Sequence, residues 1–370
     1  MTQRSKPPYR ADIVGSFLRT APIKDARAKR EKGEITAAQL TAVEDEEIRK
    51  LIKKQEEVGL QVATDGEFRR SWWHFDFLGL LTGVKLVESD HGIQFKGVET
   101  KAQTLKIDSK VDFPLDHPFL AHFKFVKENT KVTPKMTIPS PTVLHFRGGR
   151  KSISESVYPD MDGFFADTGK AYAKAVKAFY DAGCRYLQFD DTVWAYLCSP
   201  AELQKAKDRG DDPAGLQEKY VEMLNMALAA KPADMVITTH ICRGNFRSTW
   251  ISEGGYEPVA ENLLGKVNYD GYFLEYDTER AGGFEPLRFL PKGNKQVVLG
   301  LITSKSGTLE KKDDIKRRID EATKFAPLEQ FCLSPQCGFA STEEGNILTE
   351  DQQWAKMREI VELSHEIWGK

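Results

Sequence analysis

Eight short runs of β-branched and apolar residues, most of them followed by a helical stretch, constrain this chain more than any other feature. The runs are Arg10–Phe17, Leu60–Phe68, Lys135–Pro141, Arg185–Asp191, Met235–Cys242, Gly271–Asp277, Gln296–Thr303 and Phe331–Gly338. Helices are expected over about Thr36–Leu60, Asp160–Gly183, Leu216–Ala230, Lys311–Phe325 and Thr349–Trp368. Thr36 stands where an N-cap belongs, and Gly183 where a helix turns off in the left-handed region. Strands alternating with helices argue for a parallel sheet, and eight such units argue for a closed (β/α)₈ TIM barrel. The competing architecture is a doubly wound open sheet, but no Gly-X-Gly-X-X-Gly follows the first run. The expectation is one catalytic barrel over residues 1–370. Between its second and third strands, at about 78–127, Val84–Val87 and Thr104–Ile107 alternate as an inserted antiparallel excursion would.

Charge and cysteine content narrow the function. The 53 lysines and arginines nearly balance 55 aspartates and glutamates, for a net charge of −2, so neither nucleic acid nor an anionic membrane is expected as a partner. Met1–Arg10 is polar and basic without a secretory apolar core, and no apolar run approaches the ~20 residues that span a bilayer. A soluble, cytoplasmic protein acting on small molecules is expected. The five cysteines, at 184, 198, 242, 332 and 337, show no disulfide framework. Core burial accounts for Cys184 and Cys332, while Cys242 and Cys337 stand at the far ends of strand runs.

In a barrel of this kind, active sites form at the C-terminal ends of the strands. Those ends read Gly15-Ser16, Asp65–Glu67, Ser140, Asp190-Asp191, His240–Cys242, Glu275–Asp277, Thr303–Lys305 and Cys337, all polar or metal-binding. His240 and Cys242 are two apart on a strand and therefore share a face. Alone, the pair describes a core thiol beside a structural histidine as readily as it does ligands. Four of the end residues, His240, Cys242, Glu275 and Cys337, are nevertheless of the types that bind zinc in tetrahedral sets. Glu275 taken singly is as readily a salt-bridge partner. Zinc held by thiolates and an imidazole binds a further thiol readily and deprotonates it, which points to a thiol activated as a nucleophile. Glu67 and Asp190 suit a substrate ammonium group, or else serve as caps. Trp72, Trp73, His74, Phe75 and Phe77 form either a stacking surface or ordinary packing.

Six stretches carry a resemblance to a known family: Ile13–Phe17, Asp65–Phe68, Leu187–Asp191, His240–Cys242, Leu274-Glu275 and Pro335–Gly338. In this order they resemble the catalytic C-terminal barrel of cobalamin-independent methionine synthase. The resemblance implies zinc on His240, Cys242, Glu275 and Cys337. It implies the substrate carboxylate held around Gly15 and Ser16, and its amino group held by Glu67 and Asp190. It implies homocysteine as acceptor and a methyltetrahydrofolate as methyl donor. Two departures stand out. Long members carry an N-terminal barrel that helps hold a polyglutamylated folate, with no counterpart in these residues. Where the family places an acidic histidine after the seventh strand, this chain reads Ile302-Thr303-Ser304-Lys305-Ser306, which leaves Lys305 as a candidate proton donor or anion clamp. Single-domain relatives with the same His-X-Cys…Cys pattern alkylate other thiols, for example opening epoxides with coenzyme M, and supply the rival reading.

Overall fold

The computed structural model describes residues 2–370. Seven strands form one parallel sheet: β1 (Val62–Ala63), β6 (Thr133–Pro139), β7 (Tyr186–Asp191), β8 (Val236–Ile241), β9 (Gly271–Glu275), β10 (Gln296–Ile302) and β11 (Phe331–Pro335), adjacent in that order. Between β1 and β6 lie β2 (Thr82–Glu88), β3 (Gln94–Phe95), β4 (Val98–Glu99) and β5 (Gln103–Asp112). There β2 pairs antiparallel with β5, Val84 opposite Ile107 and Leu86 opposite Leu105, and β3 pairs with β4. Every residue of β7, β9, β10 and β11 is buried, as strands covered on both faces must be.

The connecting helices start and stop where their ends are satisfied. Ala37–Glu57 and Glu350–Trp368 each begin with a complete capping box, Thr36 with Gln39 and Thr349 with Gln352. Met161–Asp181 begins where Asp160 accepts a hydrogen bond from the Gly163 N–H, and ends before Gly183 at φ +99°. Pro213–Leu228 and Lys312–Ala322 fill the two remaining expected spans. No helix among the described residues is long and apolar enough to cross a membrane.

The first run departs from expectation. It forms no ladder strand: only Ala11 bridges, in parallel, to Leu333 of β11. The Asp12 carboxylate accepts the backbone N–H groups of Tyr9 and Ile13, diverting them from a ladder. Gly15 at φ +152° then turns the chain away. The segment nonetheless lies between the two edges of the sheet. On one side the Asp12 N–H donates to Leu333 O at 3.0 Å; on the other, Phe17 N–H donates to Gly66 O at 3.1 Å and Thr64 Oγ1 to Gly15 O at 2.6 Å. Both edges reach one segment, so the sheet is curled. The second run is likewise reduced, to Val62–Ala63, because Thr64, Asp65 and Gly66 turn outward into a loop.

Candidate active site

Strand register brings the polar ends together. Asp190 of β7 and His240 of β8 are direct partners in the parallel ladder, so both side chains leave the sheet at one level. Cys242 follows the end of β8, its N–H still donating to Asp191 O at 2.7 Å. Glu275 is the last residue of β9, and Cys337 stands two residues past β11, after Gln336 N–H has donated to Ile302 O at 2.8 Å. One ligand atom from each of His240, Cys242, Glu275 and Cys337 falls within 4.8 Å of all the others, and all four residues are buried.

The distances suit a shared cation. His240 Nε2 lies 3.4 Å from Cys337 Sγ, and Cys242 Sγ lies 3.5 Å from Cys337 Sγ. Bond lengths of ~2.0–2.3 Å in a tetrahedral zinc site put neighbouring ligand atoms about 3.3–3.8 Å apart. Glu275 Oε1 accepts the Arg243 N–H at 2.8 Å, whereas Glu275 Oε2 is buried with no hydrogen-bond partner. Burial pushes the Glu275 carboxyl up to about 7, against the pull of the Lys305 charge. The Cys242 thiol donates to Cys337 and holds it well below its ordinary value, with His240 adding to the effect, although burial pushes the other way. Cys242, the donor, is correspondingly pushed well above its ordinary value. Burial would lower His240, but the negative charge of Cys337 outweighs it and raises the imidazole. Three acids and an imidazole thus crowd one dry spot, with an orphaned carboxylate oxygen among them. The donor set fits a divalent cation of the zinc type.

Beside this cluster is a cavity of about 30 Å³, lined by His240, Cys242 and Cys337 on one side and by Ser16, Glu67 and Asp190 on the other. Glu67 lies on a tight turn in which Gly66 has φ +66° and Glu67 itself φ +60°. A non-glycine residue there costs on the order of 1–3 kcal/mol, and Asp65 Oδ1 helps hold it by accepting the Glu67 N–H at 2.8 Å. Glu67 Oε1 accepts from Thr137 Oγ1 at 3.2 Å and faces Arg70 at 3.6 Å, while its Oε2 is buried without a partner. Burial raises the Glu67 carboxyl, against Arg70 and Arg19. Asp190 Oδ1 accepts from Gln188 Nε2 at 2.7 Å. Burial, reinforced by the Glu67 charge and opposed by His240, pushes Asp190 up to about 7. Two buried carboxylates, one of which suppresses the ionisation of the other, make a receptor for a cation. Ser16 packs against the loop after β11, its Oγ accepting the Ala340 N–H at 3.3 Å. A Cβ on Gly15 would come within 2.8 Å of Thr137 Cγ2, so only glycine lets the chain approach there.

Lys305 is placed differently. It does not line the cavity. Its ammonium donates to Gly244 O at 3.1 Å, Asn245 Oδ1 at 2.9 Å and Thr249 O at 3.2 Å, which uses all three protons on the loop after β8. Its charge is felt at Glu275 and Cys242 without contact. Of the aromatic group, Trp72 and Trp73 line the cavity while Phe77 packs against Phe113 and Phe119. Sequence reasoning missed Asn245, which ties Gly338 O (2.7 Å) to Lys305, and Arg147, Tyr196 and Phe95, which form the outer wall. Asn245 and Arg147 lie outside regular elements, Phe95 in the two-residue β3 and Tyr196 in a four-residue helix, all too short for periodicity to carry a signal.

A family model described as the catalytic domain of cobalamin-independent synthase matches residues 10–362. The chain belongs to the cobalamin-independent methionine synthase family. Two Bacillus subtilis proteins named YxjG and YxjH, neither characterised, are each 52% identical over 367 residues, 99% of this chain and 96% of theirs. The 5-methyltetrahydropteroyltriglutamate–homocysteine methyltransferase of Listeria welshimeri is 23% identical over 98% of this chain, which spans only 44% of that enzyme's length. A crystal structure from Listeria monocytogenes, provisionally described as a vitamin-B12-independent methionine synthase, superposes with TM-score 0.80 at 48% identity, covering 99% of this chain and 100% of that one. A B12-independent methionine synthase of a Shewanella species, solved with selenomethionine, shares the fold at TM-score 0.65 and 19% identity, each chain covered to 90%.

Proposed function

We propose that this family member is a zinc-dependent methyltransferase that methylates the thiol of homocysteine to give methionine, taking the methyl group from a methyltetrahydrofolate-type donor. Its 370 residues act as a single (β/α)₈ catalytic domain, with the bridged segment at Ala11 as the eighth wall and the β2–β5 hairpin as an insertion. The observation that carries the reading is the convergence of His240, Cys242, Glu275 and Cys337 within 4.8 Å, beside a cavity walled by Glu67 and Asp190. Those four residues would hold zinc, which when bound supplies the charge that turns an incoming thiol into a thiolate at neutral pH.

The chain's own groups do the rest. Glu67 and Asp190 take the substrate ammonium, and the backbone at Gly15 with Ser16 takes its carboxylate. This fixes the sulfur at the His240–Cys337 side of the cavity, where a near-attack geometry removes much of the entropic barrier. The new sulfur–methyl bond forms as the donor's nitrogen–methyl bond breaks. The proton released by the thiol on binding balances the one the departing nitrogen takes up. A pair of carboxylates repels an anionic thiol such as a sulfonate, which argues against the coenzyme M type of substrate. Lys305 serves this site as a positioning residue that fixes the Gly244–Thr249 loop.

Metal analysis of the purified chain, followed by X-ray absorption with and without homocysteine, tests the reading. About one equivalent of zinc is expected, together with one added sulfur neighbour when homocysteine is present. Less than half an equivalent after zinc-replete expression, or an unchanged sulfur count, removes it.

A further inference from the structure

Three of the segments that wall the thiol cavity lie beyond the sheet. Ser16 belongs to the first segment, which bridges to the ladder only at Ala11. Glu67 lies on the turn after β1 ends at Ala63, and Gly338 and Ser341 lie past the end of β11 at Pro335. No ladder hydrogen bond therefore sets where these three stand relative to one another. Neighbours are joined in pairs instead, Phe17 N–H to Gly66 O at 3.1 Å and Phe339 N–H to Ser16 O at 3.0 Å.

One side chain reaches all three. Arg19 is buried and does not line the cavity, so it touches nothing the cavity holds. The two protons of its Nη1 are shared among Phe17 O at 3.0 Å, Gly66 O at 3.3 Å and Ala340 O at 3.1 Å, and its Nη2 donates to Arg70 O at 3.1 Å. Phe17 adjoins Ser16, Gly66 adjoins Glu67, and Ala340 adjoins Ser341 and stands three residues after Cys337. Burial pushes the guanidinium down to about 10 while the Glu67 charge pulls it back, so it remains a cation at neutral pH.

A buried charge is ordinarily matched by an opposite one. Arg19 pairs with no carboxylate among the described residues and gives its donors to four carbonyls, so what it contributes is geometry. A guanidinium is planar, with its donors in a fixed fork, and acceptors that share it are held at set angles to one another; an ammonium on a flexible stem imposes no such plane. The Gly66–Glu67 turn, with both residues at positive φ, has the most need of that hold.

Resting on the function proposed above, we infer that Arg19 is a positioning residue for amino-acid recognition: by gathering the carbonyls of Phe17, Gly66 and Ala340 on one guanidinium, it sets how Ser16 and Glu67 stand toward the thiol cluster. Arg19 thus decides whether one ligand can reach the amino-acid contacts and the sulfur position at once. A small thiol that lacks the amino-acid groups has no use for this spacing.

The test uses the full-length, zinc-loaded protein and compares homocysteine with 2-mercaptoethanol by calorimetry, which reports stoichiometry and affinity separately. Arg19→Met is expected to weaken homocysteine at least tenfold and 2-mercaptoethanol by less than twofold, with zinc still near one equivalent. Arg19→Lys keeps the charge without the planar fork and should recover only part of the homocysteine loss; it also serves if the methionine variant does not fold. A merely structural arginine predicts a lower melting temperature and a smaller binding-competent fraction, with the ratio of the two thiol affinities unchanged. That result overturns the inference alone, as does full homocysteine affinity in Arg19→Lys or an equal loss toward both thiols. Wild-type protein that binds 2-mercaptoethanol as tightly as homocysteine, or takes no homocysteine, removes the function reading and this inference with it.

Discussion

Asp190 is the residue on which recognition and acidity meet. Its carboxyl is pushed up to about 7, chiefly by burial and then by the Glu67 charge. Free in an unfolded chain it would titrate near 3.9. The native state therefore holds the extra proton between about pH 4 and pH 7, and metal-free protein loses stability as pH rises through that window, then levels off. An ammonium ligand reverses the preference, because it needs the carboxylate. Homocysteine binding is expected to release protons at pH 7 and to weaken by up to about tenfold per unit as pH falls below 7. Calorimetry in two buffers of different ionisation enthalpy measures the release, and Asp190→Asn should remove the carboxyl's share of it, leaving the proton the thiol gives up, while weakening homocysteine at least tenfold. A binding constant flat from pH 6 to pH 8 would show that Asp190 does not hold the ammonium. Glu67→Gln tests the partner: with its Oε2 buried and unpartnered at the cavity wall, a comparable loss of homocysteine affinity is expected, accompanied by a fall in melting temperature because Arg70 loses its buried carboxylate.

At the scale of elements, the loop after β8 depends on a side chain from the end of β10. The three acceptors at Gly244, Asn245 and Thr249 have Lys305 as their common donor, and two of them belong to residues lining the thiol cavity. Lys305→Met strands those acceptors, at a cost of about 1–3 kcal/mol in stability and a looser Cys242 side of the site. Thermal melting checks the first effect and zinc affinity the second. Lys305→Arg should restore much of both if position is what matters, whereas loss of turnover alone, with metal and stability intact, would return Lys305 to a proton-donating role. This loop also marks how far the sequence is legible. Period-two alternation places His240 and Cys242 on one face, and the β-branched runs locate β6 to β11 to within a few residues. Capping residues locate the long helices. What escapes is whatever depends on tertiary partners. The first run reads as a strand, yet Asp12 takes its backbone donors; β3 and β4 are two residues each and leave no periodic trace; Lys305 reads as a rim cation, yet its protons are spent on a loop 56 to 61 residues earlier.

At the scale of the whole molecule, the curled sheet is held at its seam by a charge pair with no access to water. Lys135 of β6 and Asp12 of the bridged segment face each other at 3.3 Å, each side chain 0% exposed. Asp12 also accepts from the Tyr9 and Ile13 N–H groups and from the Tyr186 hydroxyl at 2.9 Å, and Lys135 donates to Ile13 O at 2.5 Å. The Lys135 ammonium sits over the Phe273 ring at 4.1 Å, so the pair joins the first segment to β6, β7 and β9 across the interior. Removing one member leaves a buried charge unmatched, which costs about 3–5 kcal/mol; for a chain of this length that is a fall of about 4–6 °C in apparent Tm. Asp12→Ala should therefore lower Tm by that amount, and 0.5 M salt should leave the difference nearly unchanged, since screening acts on exposed charges. The same variant releases the segment that carries Gly15 and Ser16 to the rim, so homocysteine affinity should fall although Asp12 touches no part of the thiol cavity. Lys135→Met separates the two effects. It removes the cation but leaves Asp12 its backbone donors, so the segment keeps its local turn, and a smaller loss of affinity than with Asp12→Ala is expected at similar loss of stability. Equal losses of affinity would mean that the interior charge pair, rather than the hydrogen bonds around Asp12, sets the position of the rim.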